Sequence, residues 1–371
     1  MYKVVVIGAG VGGYVTAIRA AQLGLSVALV ERQATLGGTC LNVGCIPSKA
    51  LLESSELLAR VQRDGAVHGV MAGQVRVDLA AMMKRKEQVV GQLTGGIAQI
   101  MKARKVDVIQ GAARIAARGK VAVALASGDE RTLETESIVI ATGSDVQSLP
   151  FLRIDGDRIL GSTEALALTE VPARLLVVGA GAIGLEMGSV WSRLGSQVTV
   201  VEIMSEVLPG WDAEVARGLR RELGRQGIAF ELGARVESCE TGSGSVVLRG
   251  SRGSEAFELS GDRLLVAVGR RPFTEGLGLE AAGVALEPRG GRIQVDGSFR
   301  TSVPGIYAVG DVIRGPMLAH KAEEEAVAVA EIIAGRKGHV NYATIPNVVY
   351  TAPEAASVGS TEEQLKEKGV A

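Results

Sequence analysis

Val4-Val5-Val6-Ile7-Gly8-Ala9-Gly10-Val11-Gly12-Gly13 lies near the start of the chain, and Leu175-Leu176-Val177-Val178-Gly179-Ala180-Gly181-Ala182-Ile183-Gly184 repeats its pattern. In both stretches four apolar residues run into a glycine turn. A short apolar run bounded by glycine reads as a strand buried on both faces. After the first turn, Ala17, Ile18, Ala21 and Leu23 keep helical spacing up to Gly24. Val27 to Val30 then forms a second strand, closed by Glu31. Gly195 and Glu202 repeat Gly24 and Glu31. Every pair (Gly8 and Gly179, Gly10 and Gly181, Gly13 and Gly184, Gly24 and Gly195, Glu31 and Glu202) is offset by 171 residues. One glycine fingerprint is a weak signal. Strand, turn, helix, strand and terminal acid, twice in one register, read as two dinucleotide-binding units.

Such a unit has a definite chemistry. Its glycines let the backbone approach a pyrophosphate, and the helix N-terminus offers unpaired N–H groups and partial positive charge. The terminal glutamate accepts hydrogen bonds from ribose hydroxyls and repels a 2′-phosphate. Glu202 is followed by Ile203 and Met204 with no arginine, so the second unit is expected to prefer NAD over NADP. The competing reading is a pair of such units that bind nothing.

Further buried strands are expected at Ser137–Ile140, Leu264–Val268 and Ile306–Val309. The last ends in Gly310-Asp311, a carboxylate at a strand's C-terminal end, where open α/β sheets bind ligands. Residues 241–261, rich in Ser and Gly, read as hairpins of the second domain. Loops near Gly156 and Thr274 read as domain crossings. The chain of 371 residues predicts two or three domains. With 47% hydrophobic residues and a net charge of −1, it has material for large cores and no basic patch beyond short surface runs such as Lys84-Arg85-Lys86. Neither nucleic acid nor membrane is indicated. The Val4–Ile7 run is too short for a signal sequence, so a cytoplasmic location is the default expectation.

Cys40 and Cys45 lie in Gly37-Gly38-Thr39-Cys40-Leu41-Asn42-Val43-Gly44-Cys45-Ile46-Pro47-Ser48-Lys49. On an ideal helix they would be separated by about 7.5 Å of rise, beyond the roughly 7 Å that a disulfide tolerates. A bridge therefore needs a distorted helix, for which Gly44 gives latitude. Three readings compete: a metal site, which lacks further Cys or His nearby, two inert buried thiols, and a thiol–disulfide redox centre. The last is favoured once two dinucleotide sites are accepted, because hydride and thiol chemistry then share an electron route. Lys49 would favour an anionic neighbour; otherwise it is a surface lysine. Cys239 reads as a small residue in a strand.

At these residues the chain resembles the flavoprotein disulfide reductases, and among them the dihydrolipoamide dehydrogenases. The likeness covers the run Gly37–Leu52, Gly179–Glu202, Gly269-Arg270-Arg271-Pro272 and Thr301–Asp311, and extends along the whole chain. It implies an α/β fold of two Rossmann-like dinucleotide-binding domains: FAD over 1–147 and 273–343, NAD over 148–272, and the start of an α/β dimerisation domain over 344–371. It implies that Gly8, Gly10, Gly13, Glu31, Arg32, Gly38, Thr39, Lys49, Ala113, Thr142, Gly143, Asp311 and Ala319 hold FAD. For NAD it implies Gly179, Ala180, Gly181, Ala182, Ile183, Gly184, Glu202, Val236, Gly269 and Arg270. Cys40 would attack the substrate, Cys45 would face the flavin, and Glu186 would pair with Lys49. No metal is implied. Electrons would pass from dihydrolipoamide to the Cys40–Cys45 disulfide, to FAD, to NAD. The implied partner is the lipoyl domain of a 2-oxoacid dehydrogenase or glycine-cleavage complex, with a homodimer for the intact family enzyme. The alternatives are a glutathione or mercuric reductase type, or a non-catalytic flavoprotein subunit.

The family's general base is a histidine followed by proline in the dimerisation domain. Here only His68, His320 and His339 occur. His320 with Glu325 mimics a His–Glu pair but lies in the flavin domain. Lipoamide turnover by this chain is therefore expected to be impaired. Val11 stands where the family often has proline, and Ala113 where glycine is common.

Overall fold

The computed structural model describes residues 1–242 and 244–370. They fall into two compact units. The first comprises 1–45, 90–145 and 270–342; the second comprises 46–89, 146–269 and 343–371. Three of the five breaks, after 145, 269 and 342, lie within three residues of 147, 272 and 343. Residues 46–89, kept with the first domain in the sequence reading, group with the second unit. Their apolar side chains explain it: Leu51, Leu52, Met82 and Met83 share one core with Leu175, Trp191 and Leu219. Lys86 joins them. Its Nζ donates to Leu166 O at 2.9 Å and the residue is buried. Arg85 donates to Ala50 O. The run Lys84-Arg85-Lys86 is thus only partly a surface run.

The first unit is built on a parallel sheet. In spatial order its strands are Asp107–Ala117, Val27–Glu31, Tyr2–Ile7, Glu130–Ile140 and Ile306–Ala308. Asp107–Ala117 and Glu130–Ile140 continue beyond the parallel part and pair antiparallel with Lys120–Leu125. Val4, Val5 and Val6 are fully buried, as expected of a strand covered on both faces.

The second unit repeats the plan. Its parallel order is Ala229–Leu232, Gln197–Glu202, Arg174–Val178, Arg263–Val266 and Ile159–Leu160. An antiparallel set of Ala234–Thr241, Val246–Arg252 and Glu255–Gly261 accompanies it, the hairpins expected over 241–261; Ser243 of that stretch lies outside the described residues. The repeat extends to register. Val4 faces Val27 in one sheet and Leu175 faces Val198 in the other, both members shifted by 171. The helices Val11–Gln22 and Ala182–Arg193 begin after Gly10 and Gly181. They end before Leu23 and Leu194, with left-handed Gly24 and Gly195 next. Two predicted strands end early: Arg263–Val266 in place of Leu264–Val268, and Ile306–Ala308 in place of Ile306–Val309.

Residues 343–371 add a short antiparallel pair, Asn347–Val349 with Ala355–Ser357, and a helix, Glu362–Glu367. Asp212 accepts from Glu214 N and Glu362 N, so one carboxylate caps two helices. Among the described residues no helix is long and apolar enough to cross a membrane.

Candidate active site

The helix expected through the thiol segment is broken at Gly44. Gly38–Val43 forms one helix and Cys45–Asp64 the next, with Gly44 at φ −145° and ψ −114°. A methyl group on Gly44 would lie 2.8 Å from Thr39 O. The break therefore depends on a missing side chain, and it is the kind of distortion that a Cys40–Cys45 bridge would need. Both thiols are half-buried, the exposure that suits a reactive cysteine. Cys45 opens a 20-residue helix, whose N-terminal partial charge favours a negative sulfur. Gly44→Ala is expected to cost about 1–3 kcal/mol of stability, read as a lowered denaturation midpoint, and to slow oxidation of the two thiols in a timed thiol titration.

The thiol segment is tied to the first glycine turn. Gly37 N donates to Ala9 O at 2.8 Å, and an added Cβ on Gly38 would meet Gly10 Cα at 2.5 Å. Asn42 pins the short helix by donating to Leu36 O and Gly38 O and accepting from Thr35 Oγ1. Tyr14, on the helix after the turn, was not found by the sequence reading. Burial pushes its phenol up to about 12, with the charges of Cys40, Glu323 and Cys45 adding to it. It remains a neutral hydroxyl near the thiols at physiological pH.

The two glutamates are placed alike. Glu31 Oε2 accepts from Ala9 N at 2.7 Å and Oε1 from Gln33 N at 2.8 Å. Glu202 Oε2 accepts from Ala180 N at 2.8 Å and Oε1 from Met204 N at 2.9 Å. Both are buried, and every partner is again offset by 171. Each carboxylate oxygen keeps a further lone pair for a ribose hydroxyl. Each glutamate therefore latches its own glycine turn and keeps acceptor capacity that a ribose hydroxyl could use. The middle glycines lie before free space: nothing is within 4 Å of a Cβ built on Gly181, and only Gly38 Cα, at 3.9 Å, approaches one on Gly10. That space fits a pyrophosphate brought close to backbone, at both turns.

Glu186 is not an exposed helix glutamate. Its side chain is 6% exposed. Lys49 Nζ donates to both its oxygens at 3.0 and 2.9 Å, and Tyr350 N donates to Oε1 at 3.0 Å. The Lys49 ammonium also sits 4.4 Å from the centre of the Tyr350 ring. The expected Lys49–Glu186 pair is therefore formed, with Tyr350 as an unforeseen third member.

At the end of the first sheet, Ser144 Oγ donates to Asp311 Oδ2 at 2.5 Å. Arg270 donates to Ser144 Oγ and O, both at 2.7 Å. This groups Arg270 with Asp311, a residue expected to hold FAD. Gly269 lies by Gln147, whose N donates to its carbonyl. Arg32 stacks 4.2 Å from the Phe273 ring, and Thr142 Oγ1 donates to Phe273 O, next to left-handed Gly143. Ala113 lies on the strand Asp107–Ala117, and Ala319 opens the helix Ala319–Ile333. Thr39 sits in the short helix before Gly44. The Val236 side chain packs in an apolar core, which leaves only its backbone for a ligand. Ala182 and Ile183 begin the second glycine-turn helix.

The His320–Glu325 resemblance to a catalytic pair dissolves. The Glu325 carboxylate is committed to Lys321 Nζ, Gly310 N and Tyr342 OH. His68 and His339 are exposed. Cys239 is half-buried in its strand, and burial pushes its thiol up, away from a reactive state. Among the described residues no group of three or more His, Cys, Asp or Glu could hold a metal.

The family model described as pyridine nucleotide-disulphide oxidoreductase matches residues 2–326. Dihydrolipoyl dehydrogenase, mitochondrial, from Pisum sativum is 51% identical over 369 residues, 99% of this chain and 74% of that protein. Dihydrolipoyl dehydrogenase 3 from Pseudomonas putida is 51% identical over 370 residues, 99% of this chain and 79% of that protein. The crystal structure of LpdA from Mycobacterium tuberculosis superposes with a TM-score of 0.91 at 28% identity, over 100% of this chain and 81% of its own. The chain belongs to the pyridine nucleotide-disulphide oxidoreductase family.

Proposed function

We propose that the protein is an NAD-dependent dihydrolipoyl dehydrogenase, which oxidises dihydrolipoamide to lipoamide through the Cys40–Cys45 pair and FAD. The carrying observation is the duplicated turn, with Glu31 and Glu202 bonded alike, and the thiol segment tied by Gly37 to the first copy. The 51% identity to proteins of that name supports the substrate. The net reaction takes dihydrolipoamide and NAD⁺ to lipoamide, NADH and a proton.

Bound FAD supplies a two-electron carrier between the thiols and NAD. The chain's own residues carry the thiol exchange, while the substrate's thiol protons pass to solvent rather than to a histidine base, the expected reason for slowed lipoamide turnover. One substrate thiolate attacks the Cys40–Cys45 disulfide at Cys40, and the second substrate thiolate closes lipoamide and leaves both protein sulfurs reduced. The helix N-terminus at Cys45 favours its thiolate. Lys49, fixed by Glu186 and Tyr350, is a stationary positive charge. Gly10 and Gly181 leave room for the two pyrophosphates, and Glu202 excludes a 2′-phosphate.

A lipoyl domain of a 2-oxoacid dehydrogenase or glycine-cleavage complex is the proposed physiological donor, a homodimer the proposed assembly, and the cytoplasm the proposed location. The test is anaerobic. FAD-loaded protein should gain a long-wavelength absorbance band on adding dihydrolipoamide or NADH. Glutathione and NADPH should be far slower. A faster response to glutathione and NADPH would overturn the substrate and the nucleotide together.

A further inference from the structure

Lys321 and Glu325 stand one turn apart on the helix Ala319–Ile333, and both side chains are 0% exposed. Buried ion pairs contribute little net stability, and apolar replacements of similar volume often serve as well. A pair kept in a core therefore directs attention to what it holds. Here it holds a single residue. Lys321 Nζ donates to Gly310 O at 2.9 Å, and Gly310 N donates to Glu325 Oε2 at 2.8 Å. The pair closes on itself at 3.0 Å, and Tyr342 OH donates to Glu325 Oε1 at 2.8 Å. Three donors converge on the carboxylate, which suits its ionised form despite burial pressing its pKa upward.

Gly310 has φ +79°, and it directly precedes Asp311. Glycine has the widest choice of backbone conformations, so an untethered glycine here would leave the direction of Asp311 loose. Both of its polar backbone groups, one in each flanking peptide, are gripped from the same helix turn. That helix begins at Ala319.

We propose that Lys321 and Glu325 are a positioning pair for the cofactor: by gripping Gly310 they set Asp311, at the end of the strand Ile306–Ala308, in register with Ala319 so that both meet FAD. This rests on the reading of Asp311 and Ala319 as FAD-holding positions. Neither Lys321 nor Glu325 touches the cofactor; they act through Gly310.

The double variant Lys321→Met with Glu325→Leu removes both charges and leaves none orphaned in the core, so it is expected to fold. Its FAD dissociation constant, read by flavin fluorescence, should rise at least about tenfold, the loss of one or two hydrogen bonds. The flavin midpoint potential should shift from that of the parent. Glu325→Gln, which stays close in shape, should shift both readouts in the same direction by less. Tyr342→Phe, which removes a donor to the other oxygen of the Glu325 carboxylate and none of the bonds to Gly310, should stay within about twofold in affinity. Folded double and Glu325→Gln variants with parental affinity and potential would overturn the proposal. An equal effect from Tyr342→Phe would do so too, since it would mean general loosening. Failure of the unmutated protein to bind FAD would instead remove the functional reading beneath it.

Discussion

Cys40→Ser and Cys45→Ser are each expected to abolish reduction of the bound flavin by dihydrolipoamide, by at least about 10³-fold in single-turnover rate, the scale seen when a covalent nucleophile is lost. The two variants should nonetheless differ. If Cys45 is the thiol facing the flavin, Cys40→Ser keeps the long-wavelength band and Cys45→Ser loses it. Both should retain FAD and oxidise NADH with ferricyanide, because neither sulfur belongs to the glycine turns. The helices on either side of Gly44 provide the geometric reason for two separate roles. Cys40 sits within the short helix Gly38–Val43, and Cys45 opens the long one. Exchange of the spectral outcomes between the variants would reverse the roles. Undiminished flavin reduction by dihydrolipoamide in either variant would remove the pair from the reaction.

The parts of this protein that were legible in the sequence are those governed by local rules. Strands buried on both faces are apolar runs, and glycine turns carry their own spacing, so the 171-residue repeat could be seen before any coordinates. A helix distortion between Cys40 and Cys45 was expected if the two thiols bridge, with Gly44 as the only glycine between them, and the helix does break at Gly44. The Lys49–Glu186 pair was reached through resemblance, since 137 residues separate its members and no periodicity links them. What stayed hidden has the same cause. Tyr350, Ser144 and Tyr342 meet their partners only through the fold. The burial of Lys321 could not be seen without the strand end that it grips. Arg270 was placed with NAD through resemblance, and its guanidinium turns to Ser144.

The glycine turns permit a sharper test than loss of function, because neighbouring glycines of one turn are constrained by different things. A Cβ on Gly184 would lie 2.0 Å from Gly179 O, and one on Gly13 would lie 1.8 Å from Gly8 O. These are backbone atoms, and Gly179 cannot retreat, being left-handed at φ +106° with its own Cβ position 2.3 Å from Ala267 O. Gly184→Ala should therefore cost about 3 kcal/mol or more, the upper range for overpacking, visible as a lower melting temperature without any nucleotide present. Gly181→Ala is the opposite case. Its φ of −78° is ordinary, and no atom lies within 4 Å of the new methyl group. Folding stability should be unchanged while NADH affinity falls at least about tenfold, because the methyl occupies the space through which a pyrophosphate reaches the backbone. Calorimetry without ligand and NADH titration, run on both variants, separate the two constraints. A Gly181→Ala protein that binds NADH like its parent would mean that the open space at the second turn is not where the nucleotide lies, and the repeat would then mark shared architecture without shared chemistry.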